Sequence, residues 1–252
     1  MAFSAPSIGS ERIGSPDMSY KQIIHRYWSG PKPMPEEYVA FGEKWEDLNP
    51  GWAVVDHGEE IIQLWPDLAP VFNHLYERDG GRDSIELHVQ VADVVGYALL
   101  REFGGIYVNT DMEPLRSLST IINESTPSFA SYENYEDFRI VNAAIGAPRP
   151  YDVFWSDLLD GLPARYFSRP YDEMVMSTGP GYLTDFYNTN KDKYEFQVFP
   201  KSTFNPIHWG QIGSGGDASG FTYPEDSVAV HHWGHKKDGR SNYIEKNTHY
   251  AS

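Results

Sequence analysis

Ser84-Ile-Glu-Leu-His-Val-Gln-Val-Ala-Asp-Val-Val-Gly-Tyr-Ala-Leu-Leu-Arg-Glu-Phe-Gly-Gly-Ile-Tyr-Val-Asn-Thr-Asp111 is the stretch on which the fold turns. From Ser84, apolar residues recur at Ile85, Val89, Ala92, Leu99 and Phe103, with Gly96 where the stripe skips. That spacing is one face of a long helix. Gly104 and Gly105 close it in the position that favours a left-handed cap. Residues 106–108, Ile-Tyr-Val, then read as a short buried strand that breaks off in Asn109-Thr-Asp111. Helix, paired glycines, strand and polar tip form the α/β arrangement in which ligands gather at the carboxyl end of a strand.

Upstream, residues 22–28 read as a strand and 35–48 as a helix opened by Pro35, with Tyr38, Phe41 and Trp45 on one face. A turn at Asn49-Pro-Gly51 leads to a short strand over 52–55, then helical stretches over 59–64 and 67–77. Downstream, 128–132, 139–147 and 194–199 read as strands and 151–159 as a helix. Residues 177–181 form a loop feeding another helix, and 228–230 a last strand delivering His231, His232 and Trp233. Strands alternating with helices predict an α/β fold with a mostly parallel central sheet. Residues 1–20 read as a loose arm and 21–252 as a single domain without internal repeats.

Composition narrows the function. The 252 residues carry 20 Lys and Arg against 36 Asp and Glu, a formal charge of −16. A duplex nucleic-acid binder needs the opposite balance, and an anionic membrane surface would repel such a chain. The absence of cysteine removes disulfides, thiolate metal sites and cysteine nucleophiles. The first 20 residues lack the basic start and apolar run of a secretory signal, and no apolar stretch nears the ~18 residues of a membrane span. A soluble, cytoplasmic chain is the expectation. Aromatics reach 15%, and they serve both cores and stacking on sugars or bases.

The chemistry concentrates at Gly104–Arg116, GGIYVNTDMEPLR. Oxygen-bearing side chains one residue apart at a strand end can hold a divalent ion while its open positions take phosphate oxygens. Here Asn109 and Asp111 form the pair, with Glu113 two residues on. The same residues can equally cap a plain strand–turn.

Further landmarks run in order along the chain: Ile23-Ile-His-Arg-Tyr-Trp-Ser-Gly30, Asn49-Pro-Gly-Trp52, Ala92-Asp93 with Leu100 and Gly104-Gly-Ile-Tyr107, Asn142–Ala147, Thr178-Gly-Pro180, Phe199-Pro200 with Phe204, and Val230-His231-His232-Trp233. Together they resemble glycosyltransferase family 32, whose sugar-binding region carries a DXD motif. The family includes yeast Golgi mannosyltransferases and bacterial and phage surface-glycan enzymes. The resemblance implies a GT-A-like (Rossmann-like) fold with helices flanking the sheet. It also implies transfer from a nucleotide-sugar donor, UDP- or GDP-linked, with retention and with a divalent ion, Mn2+ or Mg2+, on the diphosphate.

Roles carried over by this resemblance make Asp111 and Asp93 the catalytic carboxylates. Asp111 is the direct metal ligand, joined by Asn109 and His231. Tyr27, Trp28, Asp93, Asn109 and Asn142 bind the donor, with Trp28 stacking on its base. Two positions depart from the family pattern: Asn109 replaces its first Asp, and Gly96 stands where it has Arg. They motivate an alternative, a degenerate relative that binds a nucleotide sugar or glycan without turnover. A phosphohydrolase needs the Asp that Asn109 replaces. Zinc on His231, His232 and His235 lacks a zincin's spacing. His25 reads as a packed histidine, Lys236 and Lys237 as candidates to meet the diphosphate, and the loops over 129–138, 164–176 and 210–223 as acceptor-choosing segments.

Overall fold

Ser84 begins the long helix by accepting the backbone N–H of Leu87 on its hydroxyl, 3.1 Å, so the first turn is capped from within the chain. The computed structural model describes residues 20–29, 32–78, 84–133, 138–168, 174–212 and 218–234. In chain order the elements are β1 (Ile23–Tyr27), α1 (Glu36–Leu48), β2 (Ala53–His57), α2 (Ala69–Arg78), α3 (Ile85–Phe103), β3 (Gly105–Val108), β4 (Met112–Pro114), β5 (Ser128–Tyr132), β6 (Ile140–Ala147), α4 (Val153–Ser168), α5 (Met174–Ser177), α6 (Pro180–Asn190), β7 (Phe196–Phe199), α7 (Lys201–Phe204) and β8 (Ala229–His231). Residues 59–64 form a 3-10 turn where a helix is expected from sequence, and α4 runs nine residues beyond the expected end at 159, to Ser168.

α3 ends at Gly104 with φ +67° and ψ −157°, which is a glycine conformation but not the left-handed helical cap anticipated from sequence. The chain must turn straight into β3 against its neighbours. A Cβ at Gly104 would lie 2.7 Å from the Arg149 backbone, and one at Gly105 (φ +83°) 2.6 Å from the Ile23 carbonyl. Only glycine permits both the dihedrals and the approach.

The main sheet has the order β2-β1-β3-β6-β5-β7. β1 is parallel to β2 and β3, β5 is parallel to β7, and β6 is antiparallel to both β3 and β5. Five of the six strands therefore share one direction and end at one edge, where β6 begins. This is the mostly parallel, mixed sheet with flanking helices of a GT-A-like α/β fold.

Each face of the sheet is covered. α2, α3, α4 and α6 pack on one face around Val71, Val91, Leu99, Trp155 and Leu183, all with essentially no exposure. The other face holds α1, α7 and a separate ribbon in which β4 pairs antiparallel with β8. The last strand read from sequence thus belongs to this ribbon, not to the main sheet. Arg26, fully buried, fastens α1 to β1 and β2 by an ion pair with Asp56 (2.7 Å) and a hydrogen bond to the Tyr38 carbonyl (2.8 Å). Tyr20, assigned from sequence to the loose arm, is buried against Phe129 and donates to the Pro127 carbonyl at 2.7 Å. The rest of the arm lies outside the described residues. No helix among the described residues is long and apolar enough to cross a membrane.

Candidate active site

The β4–β8 ribbon builds the centre of the site. After β3, Asn109 starts a tight turn: its N–H donates to Ala143 (2.8 Å) and its carbonyl accepts from Met112 (3.0 Å). Asp111 sits in that turn. Met112 then pairs with His231, and the His232 N–H donates to the Asp111 carbonyl at 3.0 Å. Register therefore brings together residues at opposite ends of the fold. Asp111 Oδ1 lies 3.1 Å from His231 Nε2, and Asp111 Oδ2 accepts the Gly234 N–H at 2.8 Å. The His231 ring rests on Trp233, centroids 4.0 Å apart. His231 Nδ1 is buried with no hydrogen-bond partner among the described residues.

Strand alternation sends His232 the other way. Its Nε2 meets Glu113 Oε2 at 2.9 Å and its ring packs on Phe41, while Lys44 Nζ takes Glu113 Oε1 at 2.7 Å. His232 and then Lys44 pull the Glu113 carboxyl down to about 2, against a desolvation that acts upward. Glu113 is thus engaged in fastening the ribbon to α1 and does not join Asp111 at the tip. Among the described residues no three His, Cys, Asp or Glu form a metal cluster. His235, Lys236 and Lys237 lie outside the described residues.

Asp93 forms the second carboxylate. It projects from α3, 7% exposed, and accepts Asn142 Nδ2 at 2.7 Å and the Thr178 hydroxyl at 2.9 Å. Burial raises its pKa to about 7, and those two donors restrain the rise. Thr178 is held by its neighbour: Gln90 Nε2 donates to Ser177 Oγ and Arg78 donates to Gln90 Oε1, both at 2.5 Å. Burial, and after it the charges of Asp93, Tyr27 and Asp111, push the Tyr107 phenol above its usual range.

Of the two expected aromatics at the end of β1, Tyr27 and Trp28, alternation separates the faces. Tyr27 is buried in the core beneath α3, so it presents no ring at the edge. Trp28 stays half-buried, its ring edge-on to Tyr38 at 6.1 Å and its Nε1 donating to the Lys32 carbonyl at 2.9 Å. Tyr38 in turn abuts Gly234, where an added Cβ would lie 2.0 Å from its hydroxyl. Trp28, Tyr38, Gly234 and Asp111 are therefore consecutive neighbours. His25 is packed: its ring nitrogens meet His57 Nε2 (3.0 Å) and the Gly104 carbonyl (3.1 Å). Burial, then His57, lowers its pKa to about 4.

Tyr38 and the Gly234 N–H border the site without standing out in the sequence, where Thr178 is only a landmark. A Tyr and a backbone amide carry no sequence signal. Thr178, beside the Gly-Pro that opens α6, did carry one.

Residues 35–127, which include Asp93, Asn109 and Asp111, match the model of the glycosyltransferase sugar-binding region containing a DXD motif. The chain is 28% identical over 173 residues to inositol phosphoceramide mannosyltransferase 3 of Schizosaccharomyces pombe, a stretch covering 65% of this chain. It is 23% identical over 185 residues, 68% of this chain, to mannosyl phosphorylinositol ceramide synthase CSH1 of Saccharomyces cerevisiae. In both cases the match spans 43% of the relative's length. Among solved structures, the PaToxG glycosyltransferase superposes with a TM-score of 0.55 at 13% identity, covering 69% of this chain and 71% of that one. By sequence the chain is similar to glycosyltransferases with a DXD sugar-binding region, and its α/β fold is that of the PaToxG glycosyltransferase.

Proposed function

We propose that the chain transfers a sugar from a nucleotide-sugar donor to a hydroxyl-bearing acceptor, with retention, at the edge where β1, β3, β5 and β7 end. The observation that carries this reading is the meeting of Asp111 and His231 at 3.1 Å, next to the Trp28–Tyr38 aromatics. Trp28 offers a half-exposed ring to the base of a UDP- or GDP-sugar. Asp93, positioned by Asn142 and Thr178, accepts hydrogen bonds from the donor sugar's hydroxyls. Tyr27 supports that wall from within, and the Asn109 amide adds a neutral hydrogen-bonding group at the tip.

The donor set suits a divalent cation. One carboxylate oxygen and one imidazole nitrogen side by side are ligands that manganese accepts and magnesium tolerates. With two protein ligands here, Asp111 and His231, and Asn109 within the same turn, the remaining positions suit diphosphate oxygens. A cation bound there supplies positive charge against the departing diphosphate, which the protein's own charge of −16 does not. In the transfer, the bond between the anomeric carbon and the phosphate oxygen breaks and one to the acceptor oxygen forms on the same face. The acceptor's proton goes to the departing phosphate.

The names of the yeast relatives make a mannosyl donor and an inositol-bearing acceptor the first of each class to try. The test is release of nucleotide from a panel of nucleotide sugars with manganese, magnesium or chelator. Metal-dependent release should fall about a hundredfold or more in Asp111→Ala, the scale for losing one charge-stabilising group. Donor binding without release at any metal concentration would identify a non-catalytic binder instead.

A further inference from the structure

We propose that Gln90, oriented by Arg78, is a positioning residue: through Ser177 it holds Thr178 against Asp93 and so fixes the carboxylate that meets the donor sugar. The part played toward the sugar rests on the transferase reading above; the tie between these residues does not. Gln90 and Asp93 lie three residues apart on α3, so one face of the helix presents both, about 4.5 Å apart along its axis. Ser177 and Thr178 are consecutive, with Cα atoms about 3.8 Å apart. The two spacings match well enough for one helix face to grip the pair. Gln90 Nε2 donates to Ser177 Oγ at 2.5 Å, and Asp93 Oδ2 accepts the Thr178 hydroxyl at 2.9 Å.

The direction of this chain of donors is fixed at its outer end. Arg78, exposed at the end of α2, has only donors to offer, and it gives one to Gln90 Oε1 at 2.5 Å. The amide therefore turns its NH2 group towards Ser177. Gln90 is fully buried, and a reversed amide would set that group against the guanidinium, donor facing donor, at a full desolvation cost.

The two oxygens of Asp93 are held from unequal ground. Asn142, which donates to Oδ1 at 2.7 Å, sits on β6, between β3 and β5 in the main sheet. Thr178 instead lies in the short joint between α5 and α6. α5 has four residues, too few to sustain a helix by its own hydrogen bonds, and Gly179 gives α6 no side-chain cap. Ser177 and Thr178 are nevertheless buried, so the order of the joint comes from what packs on it, and α3 does so directly. The Gln90–Ser177 bond is the polar part of that packing, and it keeps the Thr178 hydroxyl on Oδ2.

The test follows the Asp93 carboxyl carbon by 13C NMR through a pH titration of the wild type, Gln90→Met, Arg78→Met and Arg78→Lys. Gln90→Met keeps the shape and the Arg78 charge but removes the donor; Arg78→Met, at an exposed position, covers the case in which the first variant does not fold. A hydrogen bond to a carboxylate favours its charged form. Loosening Thr178 should therefore raise the Asp93 midpoint by about half a pH unit or more, the scale of one hydrogen bond, and Arg78→Lys should keep the wild-type value. The phenols of Tyr97 and Tyr107, held protonated first by burial and then by the Asp93 charge, stay neutral across the range. Calorimetry with manganese reads the consequence at the sugar, using GDP-mannose and UDP-glucose, each beside its bare nucleoside diphosphate. The ratio of the sugar nucleotide's dissociation constant to that of the diphosphate should rise about fivefold in Gln90→Met and at least as much in Asp93→Asn. The diphosphate's own constant should move by less than about twofold. An unchanged midpoint in the folded variants overturns the proposal, as does an equal loss of diphosphate binding. A raised midpoint with the ratio untouched in Asp93→Asn, or with neither sugar nucleotide bound by the wild type, keeps the tie and overturns the donor-sugar reading instead.

Discussion

A Cβ at Gly96 would lie 2.9 Å from two ring carbons of Tyr107, which explains in contact terms why the helix has no Arg there. The sequence displayed the departure but not its reason, because Tyr107 lies on the next strand and its ring direction is a tertiary fact. Tyr107 fills the space that a side chain at position 96 would need. Gly96→Ala should therefore destabilise the fold by about 1–3 kcal/mol, the range for overpacking a tight core, as read by urea unfolding; an unchanged midpoint would mean that the ring swings aside freely. Trp28 poses the opposite case, an aromatic with a part-exposed face. Trp28→Ala should raise the donor's dissociation constant by roughly tenfold, since base–aromatic stacking is worth roughly 1–3 kcal/mol. Calorimetric titration decides it, and an indifferent donor would assign Trp28 to packing against Tyr38 alone.

At the level of elements, the ribbon does what the main sheet cannot. Sheet strands deliver their ends to one edge, but only the β4–β8 register sets Asp111 beside His231. Glu113 is the fastening of that ribbon to α1, through His232 and Lys44. Glu113→Gln should lower stability by about 1–2 kcal/mol, the scale for hydrogen bonds to a charged group in a half-exposed setting. It should also weaken manganese binding, although Glu113 is not a ligand in this arrangement. Thermal unfolding and a metal titration measure the two effects, and a stability loss with unchanged metal affinity would detach the ribbon's anchoring from the site. This element was the least legible in the sequence. The α3–Gly-Gly–β3 unit could be read because it is local: a 3.6-residue stripe, a cap and a strand within 28 residues. β4 is three residues long, contains Pro114, and joins a partner segment 119 positions away, as Glu113 and His232 mark. No periodicity can announce such a pairing. The landmark residues Asp93, Asn142 and Thr178 were visible one by one, and only the packing of α3 on β6 makes them a single hydrogen-bonded group.

Across the whole molecule, two buried titratable groups oppose one another in their effect on stability. Asp93 has its pKa raised from 3.8 to about 7 by burial. Between those values the folded chain holds a proton that the unfolded chain has lost, so stability falls as pH rises, by about 1.4 kcal/mol per pH unit. His25 has its pKa lowered from 6.5 to about 4 by burial beside His57. Between about 4 and 6.5 the unfolded chain holds the extra proton, so this group makes stability rise with pH at about the same slope. His57, also lowered by burial, adds to the rising side, whereas Glu113 with its carboxyl at about 2 acts below this window. Single substitutions should therefore tilt the stability–pH profile in opposite senses. Asp93→Asn should make stability rise more steeply with pH between 4.5 and 6.5 than it does in the wild type, by about 1.4 kcal/mol per pH unit. His25→Gln should make the slope more negative by a similar amount, whatever its overall cost in packing. Chemical denaturation at four or five pH values gives each slope directly. Parallel profiles for wild type and Asp93→Asn would show that Asp93 is ionised in the folded state across this range, its Asn142 and Thr178 donors outweighing burial.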